Sequence, residues 1–162
     1  MKRIFVLVIM LLVGSGCSVR GGATGARTSV AKNLVRVQIA SDPQLNRYEK
    51  NSHALVLCLY QLDDPESFTR LAQGSGGVPK LLECGRFDAA VLNARQVVVQ
   101  PGQRLTEMRE RLPGARYLGI ATGYYSTGRR NVTALAAIPE TGGESVLHIE
   151  LGAQEIRQVR VE

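Results

Sequence analysis

The chain has 162 residues, 44% hydrophobic and 21% charged, which is the composition of one folded domain and excludes a disordered chain. Its 20 lysines and arginines outnumber 14 acids for a net charge of +6, or +4 if Lys2 and Arg3 are removed with a leader. No basic run exceeds two residues, which argues against a nucleic-acid partner.

Ile4 to Val13 is an unbroken apolar run of ten residues behind Lys2 and Arg3. As helix it spans about 15 Å, half of a bilayer core of about 30 Å, so it predicts a signal-peptide core and not a membrane span. Gly14-Ser15-Gly16 before Cys17 resembles the bacterial lipobox, although Gly14 stands where that motif usually has Leu. The resemblance implies a signal peptide over 1–16 and Cys17 as a lipidated, palmitate-bearing N-terminus; the alternative is a soluble secreted protein cut near the same place. Ser18 follows, where an Asp would mark retention at the inner membrane, so the expected location is the outer membrane, facing the periplasm. Residues 17–30 read as a flexible tether, since Ser18 to Ser29 holds Gly21, Gly22 and Gly25 and almost no apolar side chain. Twelve such residues reach roughly 20 Å. A folded domain is expected over 31–162.

That domain reads mostly as strands. Asn33 to Ala40 alternates, with Val35, Val37 and Ile39 on one side. Ser41 to Ser52 is a polar loop with Asp42-Pro43 as its turn signal. Ala54 to Leu62 is apolar almost throughout, as a strand covered on both faces would be. Asp63-Asp64-Pro65-Glu66 predicts a helix start with an acidic cap and Pro in the first turn. Phe68, Leu71 and Ala72 give that helix one apolar face, ending near Gln73 before a Gly-Ser-Gly-Gly run. Ala94 to Gln100 reads as a β-branched strand closed by Pro101-Gly102. Leu105 to Leu112 fits either period: Leu105, Met108 and Leu112 suit a helix, Thr106, Met108, Glu110 and Leu112 a strand. Arg116 to Tyr125, Asn131 to Ile138, Ser145 to Leu151 and Glu155 to Val161 are four more strand candidates. Eight short strands with turns between them predict a two-layer all-β sandwich with a short helical addition.

The chemistry-bearing residues are few. Cys58 and Cys84 are left over beside Cys17 and would form a disulfide in an oxidising compartment, but Cys58 in its apolar run also suits a buried free thiol. His53 and His148 are isolated, so no metal site is predicted. No nucleophile elbow or phosphate loop is present, and neither a catalytic residue, a cofactor nor a small-molecule substrate is expected. The Ser41–Ser52 loop is long for a two-stranded connection and mixes Leu45 and Tyr48 with Arg47, Glu49 and Lys50. It reads either as a small anchor with a charged rim or as a solvated connection. Tyr124-Tyr125 with Arg129-Arg130 is a second candidate patch, against the reading that tyrosines at a sheet end are structural.

Four stretches, taken in order, resemble the outer-membrane lipoprotein of bacterial type VI secretion systems, the TssJ (SciN-like) family. They are Leu45-Asn46 in the first loop; Leu55 to Leu62 ending in Tyr-Gln-Leu, with Asp63-Asp64 and Phe68 behind it; Val97 to Gly102; and Ala115 to Tyr125. With the lipobox the resemblance covers about residues 1–138. The chain departs from the family in lacking a Trp after the Tyr-Leu-Gly strand. The resemblance implies a transthyretin-like β-sandwich of two four-stranded antiparallel sheets and favours strand for Leu105 to Leu112. It implies binding to the periplasmic C-terminal domain of TssM through the loop between the first two strands, with TssL an indirect partner. Asp42, Leu45, Asn46, Arg47 and Tyr48 are then the expected contacts. The alternatives are a pilotin-like or other periplasmic binding lipoprotein and, more remotely, a transthyretin-like hydrolase, whose several histidines and C-terminal Tyr-Arg-Gly-Ser are absent here.

Overall fold

The computed structural model describes residues 34–125, 131–140 and 143–162. The leader, Cys17 and the tether lie outside the described residues, as do Arg129 and Arg130.

Eight strands and two short helices follow in the order β1 (Leu34–Ser41), β2 (Leu55–Leu62), α1 (Glu66–Gln73), α2 (Gly77–Leu81), β3 (Val91–Val99), β4 (Arg104–Glu110), β5 (Tyr117–Thr122), β6 (Thr133–Ala137), β7 (Glu144–Leu151) and β8 (Ile156–Val161). They form two four-stranded sheets, β4-β1-β7-β8 and β3-β2-β5-β6. The segment with two periodicities is a strand. The tyrosines at 124 and 125 lie just beyond β5, in the connection to β6. The second sheet is antiparallel throughout, but the first is mixed: β1 runs parallel to β7, with Val37 opposite Leu147 and Ile39 opposite Ile149. The expectation of two antiparallel sheets is corrected at that one pairing. More than a hundred residues separate the two strands in sequence, so no hairpin turn dictates their direction.

Alternation explains the layers. Val35, Val37 and Ile39 of β1 face Leu57 and Leu59 of β2, Leu118 and Ile120 of β5, and Leu147 and Ile149 of β7 in one buried core. β2 is apolar on both faces because a second cluster lies outside it, where Cys58, Tyr60 and Leu62 are covered by Phe68 and Leu81 from the helices. α1 starts with Asp64 accepting the Glu66 N–H at 2.8 Å and Pro65 at the cap position, one step earlier than predicted. Phe68 packs so tightly on β5 that a β-carbon on Gly119 would lie 2.8 Å from its ring. Cys58 and Cys84 are joined in a disulfide with their α-carbons 5.3 Å apart, which ties the third residue after α2 to the middle of β2.

The Tyr60 hydroxyl donates to the Leu81 carbonyl, fastening α2 from below. Burial, helped by the Glu83 carboxylate, pushes its pKa up to about 12. Because the folded state favours the neutral phenol, Tyr60 contributes stability below pH 10 that is lost as pH rises through 12. Unfolding free energy followed by urea titration should therefore fall between pH 10 and 12, and fall less steeply in Y60F; equal slopes would exclude this assignment.

The side of the sandwich closed by edge strands β3 and β4 is unusual. On β4, Glu107 and Arg109 stand opposite Val37 and Val35 and so face inward, where they pair with each other. On β3, Asn93 and Arg95 stand opposite Gln61 and Leu59 and face the same way.

Candidate partner-binding surface

β1 ends at Ser41, about 23 Å from its start at a strand rise of roughly 3.3 Å per residue. At that far end lie the β1–β2 loop, the β3–β4 turn and the β5–β6 and β7–β8 connections, because every strand of the sandwich begins or ends there.

The loop is built on its own buried residues. Leu45 is fully buried in the main core, and its carbonyl accepts the His53 N–H at 3.0 Å, closing the loop's neck. Asn46 is 3% exposed and has a φ of 49°, a left-handed conformation that Asn tolerates better than most residues. Its amide donates to the Ala54 carbonyl at 2.9 Å and its side-chain oxygen accepts the Tyr125 N–H at 2.9 Å. One side chain thus holds the two sides of the loop together and fastens it to the β5–β6 connection. Asp42 accepts the Gln44 N–H at 2.7 Å, forming the first turn, and pairs with Arg157 at 2.6 Å. The Arg47 N–H reaches the Ala153 carbonyl at 2.9 Å, and the Arg47 carbonyl accepts from Gln154 at 3.1 Å. Tyr48 and Asn51 exchange two backbone hydrogen bonds at 3.0 Å, making a tight tip with Glu49 in a left-handed turn.

What this frame presents to solvent is aromatic and charged. Tyr48 is 53% and Tyr125 61% exposed, with ring centres 5.4 Å apart. His53 meets Tyr125 edge-on at 5.1 Å. Arg47, Glu49 and Lys50 flank them, all exposed. Large exposed aromatics are uncommon on a monomer and are enriched at interfaces.

The five expected contacts therefore divide. Arg47 and Tyr48 are exposed at the tip, whereas Leu45 and Asn46 are buried and shape the loop instead of meeting a partner with their side chains. Asp42 sits in a turn and an ion pair at the loop base. The two patches distinguished in the sequence join into one surface through Tyr48 and Tyr125. Tyr124 belongs underneath: it is buried, and its hydroxyl lies 3.1 and 3.0 Å from the Gly152 and Glu155 carbonyls. Burial pushes its pKa well up, with Arg157 pulling the other way and Glu155 and Asp42 adding to the rise. His53 and the β7–β8 turn carry no sequence signal of membership; the hydrogen bonds that recruit them span up to 107 positions.

Residues 33–154 match the profile of the family described as type VI secretion lipoprotein (VasD, EvfM, TssJ), and the chain belongs to that family. The fold is similar to that of the type VI secretion lipoprotein TssJ1 from Pseudomonas aeruginosa, with a TM-score of 0.69 at 22% identity over 81% of this chain and 97% of that one. It is also similar to Serratia marcescens Lip, a membrane-bound component of the type VI secretion system, with a TM-score of 0.65 at 17% identity over 80% and 99% of the two chains. A chain in a structure of the TssM C-terminal domain from EAEC gives a TM-score of 0.61 at 15% identity over 78% and 97%. None of the curated proteins matches the chain in sequence.

Proposed function

We propose that the protein is a structural lipoprotein of the type VI secretion membrane complex that holds the periplasmic C-terminal domain of TssM to the outer membrane. In this reading Cys17 carries the lipid, and the contact is made by the loop tip at Arg47 and Tyr48 together with Tyr125. The observation that carries it is the placement of the aromatic tip. Chain entry at Leu34 and the exposed Tyr48–Tyr125 pair lie at opposite ends of β1, so a domain tethered through its N-terminus leaves that surface on the side opposite its anchor, open to a partner. The rigid bracketing of the loop supports binding without a folding cost, because its backbone is already ordered. The reading assigns binding and no catalysis.

The test is a titration of residues 31–162, which contain both sheets and the whole core, against the periplasmic domain of the TssM from the same genome. Y48A/Y125A should weaken binding by at least about 100-fold, the effect of losing two aromatic anchors at roughly 1.5–2 kcal/mol each. The thermal midpoint should stay close to native, since both rings are exposed. Native-like binding by that variant would move the site elsewhere, and no binding by the folded native domain would sink the TssM reading.

A further inference from the structure

Among the described residues no helix or loop covers the outer face of the β4-β1-β7-β8 sheet. In one row across it Thr106, Gln38 and His148 stand side by side, with Arg160 next on β8. In the following row, toward the loop end, Ala40 lies between Arg104 and Glu150. A one-carbon side chain between two long ones leaves a notch. Two adjoining depressions of about 350 and 320 Å³ share Ala40, Arg104 and Glu150 and together make a groove from His148 to Asp42 and Pro43 at the loop base. Arg104 stands on the β4 side and Arg160 on the β8 side. Neither makes an ion pair among the described residues, whereas Arg157 is paired with Asp42. Two guanidinium groups outside any ion pair thus share the groove with one carboxylate in the same state, Glu150, while Asp42 is held by Arg157 and Glu162 lies against His148.

We propose that this groove receives an extended acidic segment of the same partner that docks on the loop; the proposal rests on that reading of the loop. Three features select this occupant. The groove runs along the strands and spans four positions, about 13 Å, the length of four or five residues of extended chain. Its walls offer the planar, forked donors that suit carboxylates. It opens onto Asp42 and Pro43 at the base of the same loop that carries Tyr48 at its tip.

The test uses the full chain in detergent, titrated with the TssM periplasmic domain at several salt concentrations. Native, R104E/R160E, A40W and Y48A/Y125A chains are compared. Ala40 faces outward, so a larger residue fills the notch without entering the core. R104E/R160E and A40W are each expected to weaken binding by roughly tenfold, and the charge reversal is expected to flatten the salt dependence as well. If both groove variants bind like the native chain while Y48A/Y125A loses affinity, the groove proposal falls and the loop reading stands. If the native chain itself does not bind, both fall. A40W weakened with no change in R104E/R160E would also overturn it, because the segment would then not be acidic.

Discussion

Reduction of the Cys58–Cys84 bond should lower the stability of the domain by about 3.5 kcal/mol, the chain-entropy value for a loop closed across 26 positions. At roughly 2–4 °C per kcal/mol for a domain of this size, the thermal midpoint should drop by about 10 °C. The loss has a location. Cys58 is fully buried in the middle of β2, and Cys84 follows α2 with a φ of 50°. That left-handed conformation costs about 1 kcal/mol or more and is held in place by its neighbours. Without the bond, the stretch from Gly77 to Phe87 is kept on the sheet by the packing of Val78, Leu81, Leu82 and Phe87 and by the Tyr60 hydroxyl. Hydrogen exchange should accelerate there first, while β1 and β7 keep their protection. Urea titrations of oxidised and reduced protein, with C58A/C84A as a control insensitive to reductant, measure the effect. A difference below about 1 kcal/mol would mean that the clasp contributes little beyond the packing around it.

Replacing Asn46 should cost nearly as much and, on the function proposed for the loop, should also weaken partner binding. In N46A the Tyr125 N–H and the Ala54 carbonyl lose their partners in a buried place, at about 1–3 kcal/mol each when unsatisfied, and Ala must hold a φ of 49°. A total loss of roughly 2–4 kcal/mol is expected. N46G removes the backbone penalty but not the lost hydrogen bonds, so it should fall between N46A and native. N46D keeps an acceptor for Tyr125 but turns a carboxylate toward the Ala54 carbonyl, and should be no better than N46A. This ranking by urea unfolding separates the conformational role from the hydrogen-bonding role. In N46A and N46G the loop is released from Tyr125, so the aromatic pair no longer presents one surface and affinity should drop even where the sandwich stays folded. N46A within about 0.5 kcal/mol of native would show that other contacts hold the loop.

Much of the architecture is legible in single strands. β1 alternates cleanly because one face meets the core and the other meets solvent, and β2 is continuously apolar because the helices bury its outer face. β4 is ambiguous for a physical reason: Glu107 and Arg109 sit on its inward face, so the polarity pattern that separates strand from helix is blurred. α2 is invisible because Gly77-Val78-Pro79-Lys80-Leu81 has weak helical preference and is held by Leu81 and by the disulfide beside it. The parallel pairing of β1 with β7 leaves no local trace at all. In the loop, an apolar Leu45 amid polar residues does mark a special position, but a buried anchor and an exposed contact look alike in sequence. The partner of Asn46 lies 79 positions away, beyond any local signal.

The inward-facing charges on β3 and β4 have a consequence for life on a surface. A protein tethered as proposed shares a thin layer with its own copies, where collisions are mostly flank to flank and local concentration is high. β3 is the longest strand, contains no proline and ends in three valines, which makes its open edge a template for adding a stranger's strand. Arg95, Glu107 and Arg109 line that flank at its midpoint, and a copy sliding in to extend either sheet would have to strip water from them. The same charges that obscure β4 in the sequence thus keep neighbours from polymerising, and leave each copy separately available at its far end.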